Sequence, residues 1–150
     1  MLAGQALSPS SRHAVLLVQL GGRRYGLRLA DIERVLPMAA VVPLPDASQS
    51  LWGVLNVHGD VLPVVDPRPR LGLTTPTPHP DHRLVLLAGE RRCLLWVDAV
   101  EEVATVDPEA ISAVGDFGCA APALVTDVVR LPDGLVPVLA TDRFLPDASR

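Results

Sequence analysis

The residues best equipped for chemistry are few and scattered. His79 and His82 bracket Asp81 in an H-x-x-H arrangement, Asp60 and Asp66 stand at the two ends of one apolar run, and Cys93 and Cys119 are isolated thiols. An H-x-x-H pair binds metal only where rigid backbone fixes the ligands, and these histidines lie in the Pro-rich segment TTPTPHPDH with no further clustered ligand. A carboxylate pair can serve as general acid and base, but a turn aspartate and a helix-capping aspartate account equally well for Asp60 and Asp66. Neither cysteine belongs to a C-x-x-C unit, so a zinc knuckle and a disulfide framework are not expected, and a reducing compartment fits. No G-x-S-x-G elbow occurs, and Gly21-Gly22 reads as a turn between strands rather than a phosphate cradle. All 13 basic residues are arginine. The missing lysine removes Walker-type phosphate binding and Schiff-base chemistry in one step. The residue types therefore point to a chain that binds without turning anything over, with no catalytic residue, metal or cofactor expected.

Composition agrees with a binding role. At 150 residues the chain can bury roughly 70% of its unfolded surface. The net charge of −4 and 3% aromatic content oppose nucleic acid as a partner, because phosphate neutralisation and base stacking both lack their side chains. No apolar run reaches the roughly 18 residues of a membrane span, and the opening MLAGQALSPSSRH has neither the basic head nor the apolar run of a signal peptide. A cytoplasmic location is the expectation.

The elements that would position a binding surface are strands. AVLLVQL is a buried strand turned by Gly21-Gly22 into RRYGLRL, where Tyr25, Leu27 and Leu29 alternate with Arg24, Gly26 and Arg28. ADIERVLP has room for little more than one helical turn before Pro37, and VVPLP reads as an irregular edge strand. Trp52 to Val57 and Val61 to Val65 form a hairpin around His58-Gly59-Asp60, followed by a short hook over 66–71. After the Thr/Pro linker the strands resume with RLVLLAG, RCLLWVD and AVEEVATV, then a capped turn at Asp107, a Gly-rich loop near Gly115 and a last hairpin, LVTDVVRL to LVPVLA.

The two halves resemble each other. RRYGLRLADIERV (23–35) overlies RRCLLWVDAVEEV (91–103) at one constant offset, pairing Leu27 with Leu95, Leu29 with Val97, Ile32 with Val100 and Glu33 with Glu101. VHGDVLPVVD (57–66) likewise overlies LPDGLVPVLA (131–140), pairing Pro63 with Pro137. Two matches in the same order imply two small β-barrels of similar topology, each too small to be secure alone. Residues 14–35 and 53–75 are expected to form the first and 82–140 the second, with residues 1–12 and 146–150 as flexible ends. Open strand edges and an inter-barrel groove would suit a partner's strand or helix.

The stretch GVLNVHGDVLPVVDPR, Gly53 to Arg68, resembles the signature of the CheW-like domain, G-x-x-N-x-R-G-x-x-x-P-x-x-D-L-R. Gly53, Asn56, Gly59, Pro63, Asp66 and Arg68 match it, and the resemblance runs through nearly the whole chain. It implies an all-β fold of two five-stranded SH3-like barrels with a few short helical turns. It also implies a non-enzymatic adaptor that couples the cytoplasmic tip of chemoreceptors to the regulatory domain of a histidine kinase, at the membrane through receptor arrays rather than by insertion. Carried over from matching positions, Ile32, Gly53, Asn56, His58 and Val100 are receptor-facing, with small Gly53 admitting a receptor helix. Leu62 and Phe117 are kinase-facing, and Gly59, Pro63, Asp66 and Arg68 hold the motif. A core role for Ile32 and Val100 is the other reading of those two, and for Asn56 and Gly59 a turn role is the stronger one. Three departures matter: His58 replaces the family arginine, Pro67 replaces the leucine of D-L-R, and Arg34 stands where the family commonly has an acidic residue just after the Ile32 turn. A module that caps kinase domains and has lost receptor binding is the alternative reading.

Overall fold

The computed structural model describes residues 13–45, 50–114 and 124–144. Apart from single 3-10 turns at Leu29–Asp31, Arg68–Leu71, Pro108–Ala110 and Thr141–Arg143, the described elements are all strands. In chain order these are β1 (His13–Leu20), β2 (Arg23–Arg28), β3 (Ile32–Pro37), β4 (Val42–Pro43), β5 (Leu51–Val57), β6 (Asp60–Val65), β7 (Arg83–Leu87), β8 (Cys93–Val97), β9 (Ala99–Val106), β10 (Ile111–Ala113), β11 (Val125–Leu131) and β12 (Gly134–Leu139). The helical turn expected in ADIERVLP is confined to Leu29–Asp31, and a strand carries the chain through Pro37. VVPLP does supply an edge strand, the two-residue β4. No helix among the described residues is long and apolar enough to cross a membrane.

The strands make two six-stranded sheets, ordered β10-β11-β12-β2-β1-β9 and β3-β7-β8-β6-β5-β4. This corrects the expected division of the chain. The hairpin β1–β2 belongs with the C-terminal strands, and residues 32–97 form the other sheet, so the Thr/Pro linker joins β6 to β7 within one sheet instead of separating two barrels. Each sequence repeat contributes its first hairpin to one sheet and its later strands to the other. The register confirms the repeat through this exchange. β12 meets β2 in parallel at Val138 and Gly26, and β6 meets β8 in parallel at Val64 and Leu94, which are the same positions under the alignment of the halves. Leu16 opposite Val103 and Val85 opposite Val35 form a second equivalent pair.

A local apolar pattern makes each strand, but the exchange is what builds the core. The central cluster takes Leu16, Val18, Tyr25 and Leu27 from one sheet and Val65, Val85, Leu87 and Leu95 from the other, with Phe144 against them. Each sheet also closes over its own cluster, around Trp96 in β3–β8 and around Leu17 and Val136 in the other. Unpacking either hairpin would expose the central cluster. We therefore treat the two barrels as one cooperative unit.

Candidate functional site

The motif hairpin is built from backbone requirements. Val57 pairs with Asp60, leaving the two-residue turn His58-Gly59, and both residues adopt positive φ (50° and 93°), as a type I′ turn demands. Histidine is among the few side chains that tolerate this region. Asn56 Oδ1 accepts the Gly59 N–H at 2.8 Å and braces the turn from within. Pro63 sits where its missing N–H does no harm, since the ladder to β8 begins only at Val64. Asn56, His58 and Gly59 are all exposed, at the tip of this hairpin.

Two expected contact residues are not at the surface. Gly53 is buried, and a Cβ there would lie 2.2 Å from the Val42 carbonyl oxygen and 2.8 Å from Val41. Glycine is needed for the approach of β4, so the close neighbour of Gly53 in the fold is the chain itself. Leu62 is 8% exposed and packs with Val57, Val64 and Trp96. The strand pleat turns Leu62 inward and its neighbour Val61, 66% exposed, outward. Ile32 and Val100, equivalent under the repeat, are half-buried against the central cluster. Phe117 lies outside the described residues.

The equivalent position to Val61 in the other barrel is Leu135, 69% exposed, and β6 and β12 share one burial pattern along their whole length. Each of these side chains has an arginine clamp nearby. Arg92 binds Glu33 at 3.1 Å and Asp60 at 3.2 Å, and Arg24 binds Glu101 at 3.2 Å and Asp133 at 2.8 Å. Arg92 and Arg24, like Glu33 and Glu101, are aligned by the repeat. Surface pairs of this kind add little to stability, so their effect is to orient the hairpin turns against β3 and β9 more than to stabilise the fold. Neither Val61 nor Leu135 stands out in the sequence, where runs such as VLPVV are apolar on both faces. The alignment of the halves was the signal that could have found them.

Asp66 and Arg68, the last motif residues, lie at the interior junction of the barrels. Arg68 is fully buried and Asp66 is 4% exposed. Asp66 Oδ1 accepts from Arg68 Nη1 at 2.9 Å and from the Arg68 backbone N–H at 3.0 Å, while its Oδ2 accepts the Thr75 hydroxyl. Arg68 Nη2 donates to Asp98, whose other oxygen accepts the Gly21 N–H at 2.8 Å from the opposite sheet. The guanidinium carbon lies 4.4 Å from the Trp96 ring centroid, and Trp96 stacks on Trp52 at 4.1 Å. Asp98, Thr75 and Trp96 were not singled out from the sequence; Asp98 aligns with Ala30, so the repeat gives no hint of it.

The H-x-x-H pair belongs to this junction. His82 Nδ1 accepts the Trp96 indole N–H at 3.0 Å and the His79 N–H at 3.2 Å, and His79 Nδ1 accepts the Asp81 N–H at 3.0 Å. Burial pulls the His82 pKa below its usual value, with Asp98 opposing and Arg68 reinforcing the shift. These nitrogens pin the linker to the barrel.

Comparison with known proteins converges on one family. The family model described as "CheW-like domain" matches residues 14–149. A chemotaxis protein CheW of Rhizobium meliloti is 27% identical over 104 residues, covering 69% of this chain and 67% of that protein. A probable chemotaxis protein CheW of Rhizobium etli is 26% identical over 110 residues, covering 73% and 70%. The crystal structure of the scaffolding protein TtCheW from Thermoanaerobacter tengcongensis superposes with a TM-score of 0.78 at 22% identity, over 85% of this chain and 88% of that one. The fold of two SH3-like barrels, the motif and the family match agree, and the chain belongs to the CheW-like domain family, the non-enzymatic coupling and scaffold proteins of chemotaxis.

Proposed function

We propose that this chain is a two-ended connector, coupling the cytoplasmic tip of a chemoreceptor to the regulatory domain of a chemotaxis histidine kinase, in the cytoplasm beneath a receptor array. The observation that carries this reading is the duplication of one exposed apolar side chain, Val61 and Leu135, at equivalent places in the two barrels and beside equivalent arginine clamps. Isolated exposed apolar residues are common, but the same one at both ends of a pseudo-symmetric molecule fits contacts made on two sides. Each contact can then be weak, because closure into a ring makes successive contacts effectively intramolecular. The kinase contact assigned to Leu62 passes to Val61. The exposed turn of Asn56 and His58, with half-buried Ile32 and Val100, is assigned to the receptor helix.

The test is titration of the full chain with the kinase regulatory domain and, separately, with a receptor hairpin fragment. Val61→Glu or Leu135→Glu is expected to weaken kinase binding at least tenfold while leaving receptor binding within about twofold. Unchanged kinase binding in both variants would remove the connector reading. Kinase binding with no receptor binding would instead support the capping module, for which His58 in place of a guanidinium is the motivating departure.

A further inference from the structure

The sequence repeat allows the interiors of the two barrels to be compared residue by residue, and they differ at one place. In the β3–β8 barrel an indole occupies this place. Trp96 is buried there against Val64, Leu84 and Leu55, stacks on Trp52, donates its N–H to His82 at 3.0 Å and lies under the Arg68 guanidinium. At the equivalent place in the other barrel there is an open cleft of about 400 Å³. Its apolar walls, Val138, Val15 and Val129, are the counterparts of Val64, Leu84 and Leu55 in the aligned ladders.

What replaces the indole is visible. Arg28 aligns with Trp96, and its guanidinium is turned to the rim in an ion pair with Asp127, which in turn stands in the place of Gly53. Thr126 takes the place of Trp52. His13, at the start of β1, corresponds to His82 at the start of the β7 hairpin and lines the cleft. The second barrel therefore keeps the apolar floor and an imidazole of an indole site and carries an arginine in place of the indole, while the counterpart of Arg68 is Asp142. Val15, Val129 and Val138 form a packed floor, each at most 3% exposed, and the apolar surface that faces the opening comes from Leu29, Ala30 and Ile111, which cannot satisfy water's hydrogen bonds, so an apolar occupant gains by displacing it. The volume is in the range of small-ligand pockets, about 300–1,000 Å³.

We infer that this cleft binds a free planar aromatic molecule of about indole size, resting over Val15, Val129 and Val138 and against Leu29 and Ile111, with a polar edge directed to His13 and the Arg28–Asp127 pair. The imidazole offers an acceptor to a ring N–H, as His82 does for Trp96, and Arg28 at the rim offers a cation to the ring. The inference stands on this barrel alone and is independent of the coupling role.

The test is a titration of the full chain with indole, followed by methyl NMR. The expected result is saturable shifts confined to the cleft, at Val15, Val129 and Val138, and binding at least tenfold weaker in Arg28→Trp, which supplies the ring from the chain itself. Should that variant not fold, Ala30→Trp at the exposed rim, outside the core clusters, is expected to weaken indole binding by a similar factor. N-acetyltryptophanamide separates a free ligand from a ring carried on a partner's backbone: binding of the amide without binding of indole overturns the free-ligand assignment. No saturable shift with indole, or shifts unchanged when the cleft is filled, overturns the site itself.

Discussion

Replacing Arg68 by methionine tests the junction on which the fold depends. The side chain is fully buried, and its removal leaves two carboxylates, Asp66 at 4% exposure and Asp98, without their cation. Taking one partner from a buried ion pair costs about 3–5 kcal/mol, because the remaining charge has lost both water and counter-ion. Methionine retains much of the apolar volume against Trp96, so the loss is mainly electrostatic. In a domain of this size the melting temperature should fall by about 6–20 °C. The only two tryptophans, Trp52 and Trp96, are stacked on each other beside Arg68, so urea unfolding can be followed by fluorescence, with circular dichroism as an independent probe. The double variant Asp66→Asn/Arg68→Met should be less destabilised than the sum of the two single variants, since the second change removes the stranded charge. A loss under about 1 kcal/mol for Arg68→Met, or strictly additive effects, would refute the view that this pair is coupled and structurally required.

Gly53→Ala should destabilise by about 1–3 kcal/mol, because the new methyl meets the Val42 backbone rather than a flexible side chain; receptor affinity unchanged at temperatures where the variant is folded would separate this from a contact role. His82 has its folded pKa depressed below 6.5, so the unfolded chain takes up the proton first. Stability should therefore fall as pH drops past about 6.5 and level off below the folded value, and His82→Gln should flatten this part of the urea-midpoint profile; parallel profiles would count against it. Burial pushes the Cys93 thiol up to about 11, so in a Cys119→Ser background the native protein should resist thiol reagents near pH 8 and react only on unfolding.

Much of the functional motif was readable because its chemistry is local. A two-residue turn with both φ positive restricts position 59 to glycine or a near equivalent and position 58 to a short list, and Asn56 reaches only three residues to brace it. Leu62 and Val61 show where such reading stops. Period-2 alternation says that neighbours face opposite ways, but in an apolar run it does not say which face is inside, and here β8, far along the chain, decides.

The all-β class, the hairpins, the internal repeat and the family signature were set by the sequence alone, since they rest on side-chain periodicity, turn chemistry and fixed spacing over a few residues. The partnership between halves was decided only in three dimensions. Local pattern makes a hairpin such as β1–β2 equally ready to pair with its own repeat or with the other one, and burial of the central cluster selects the exchange. The same long-range choice brings Asp98 to Arg68, gives Gly53 its neighbour in Val42, and buries Trp96 in one barrel while a cleft lies beside Arg28 in its twin. Each depends on contacts between residues far apart in sequence, whose free energy exists only once both sheets are packed.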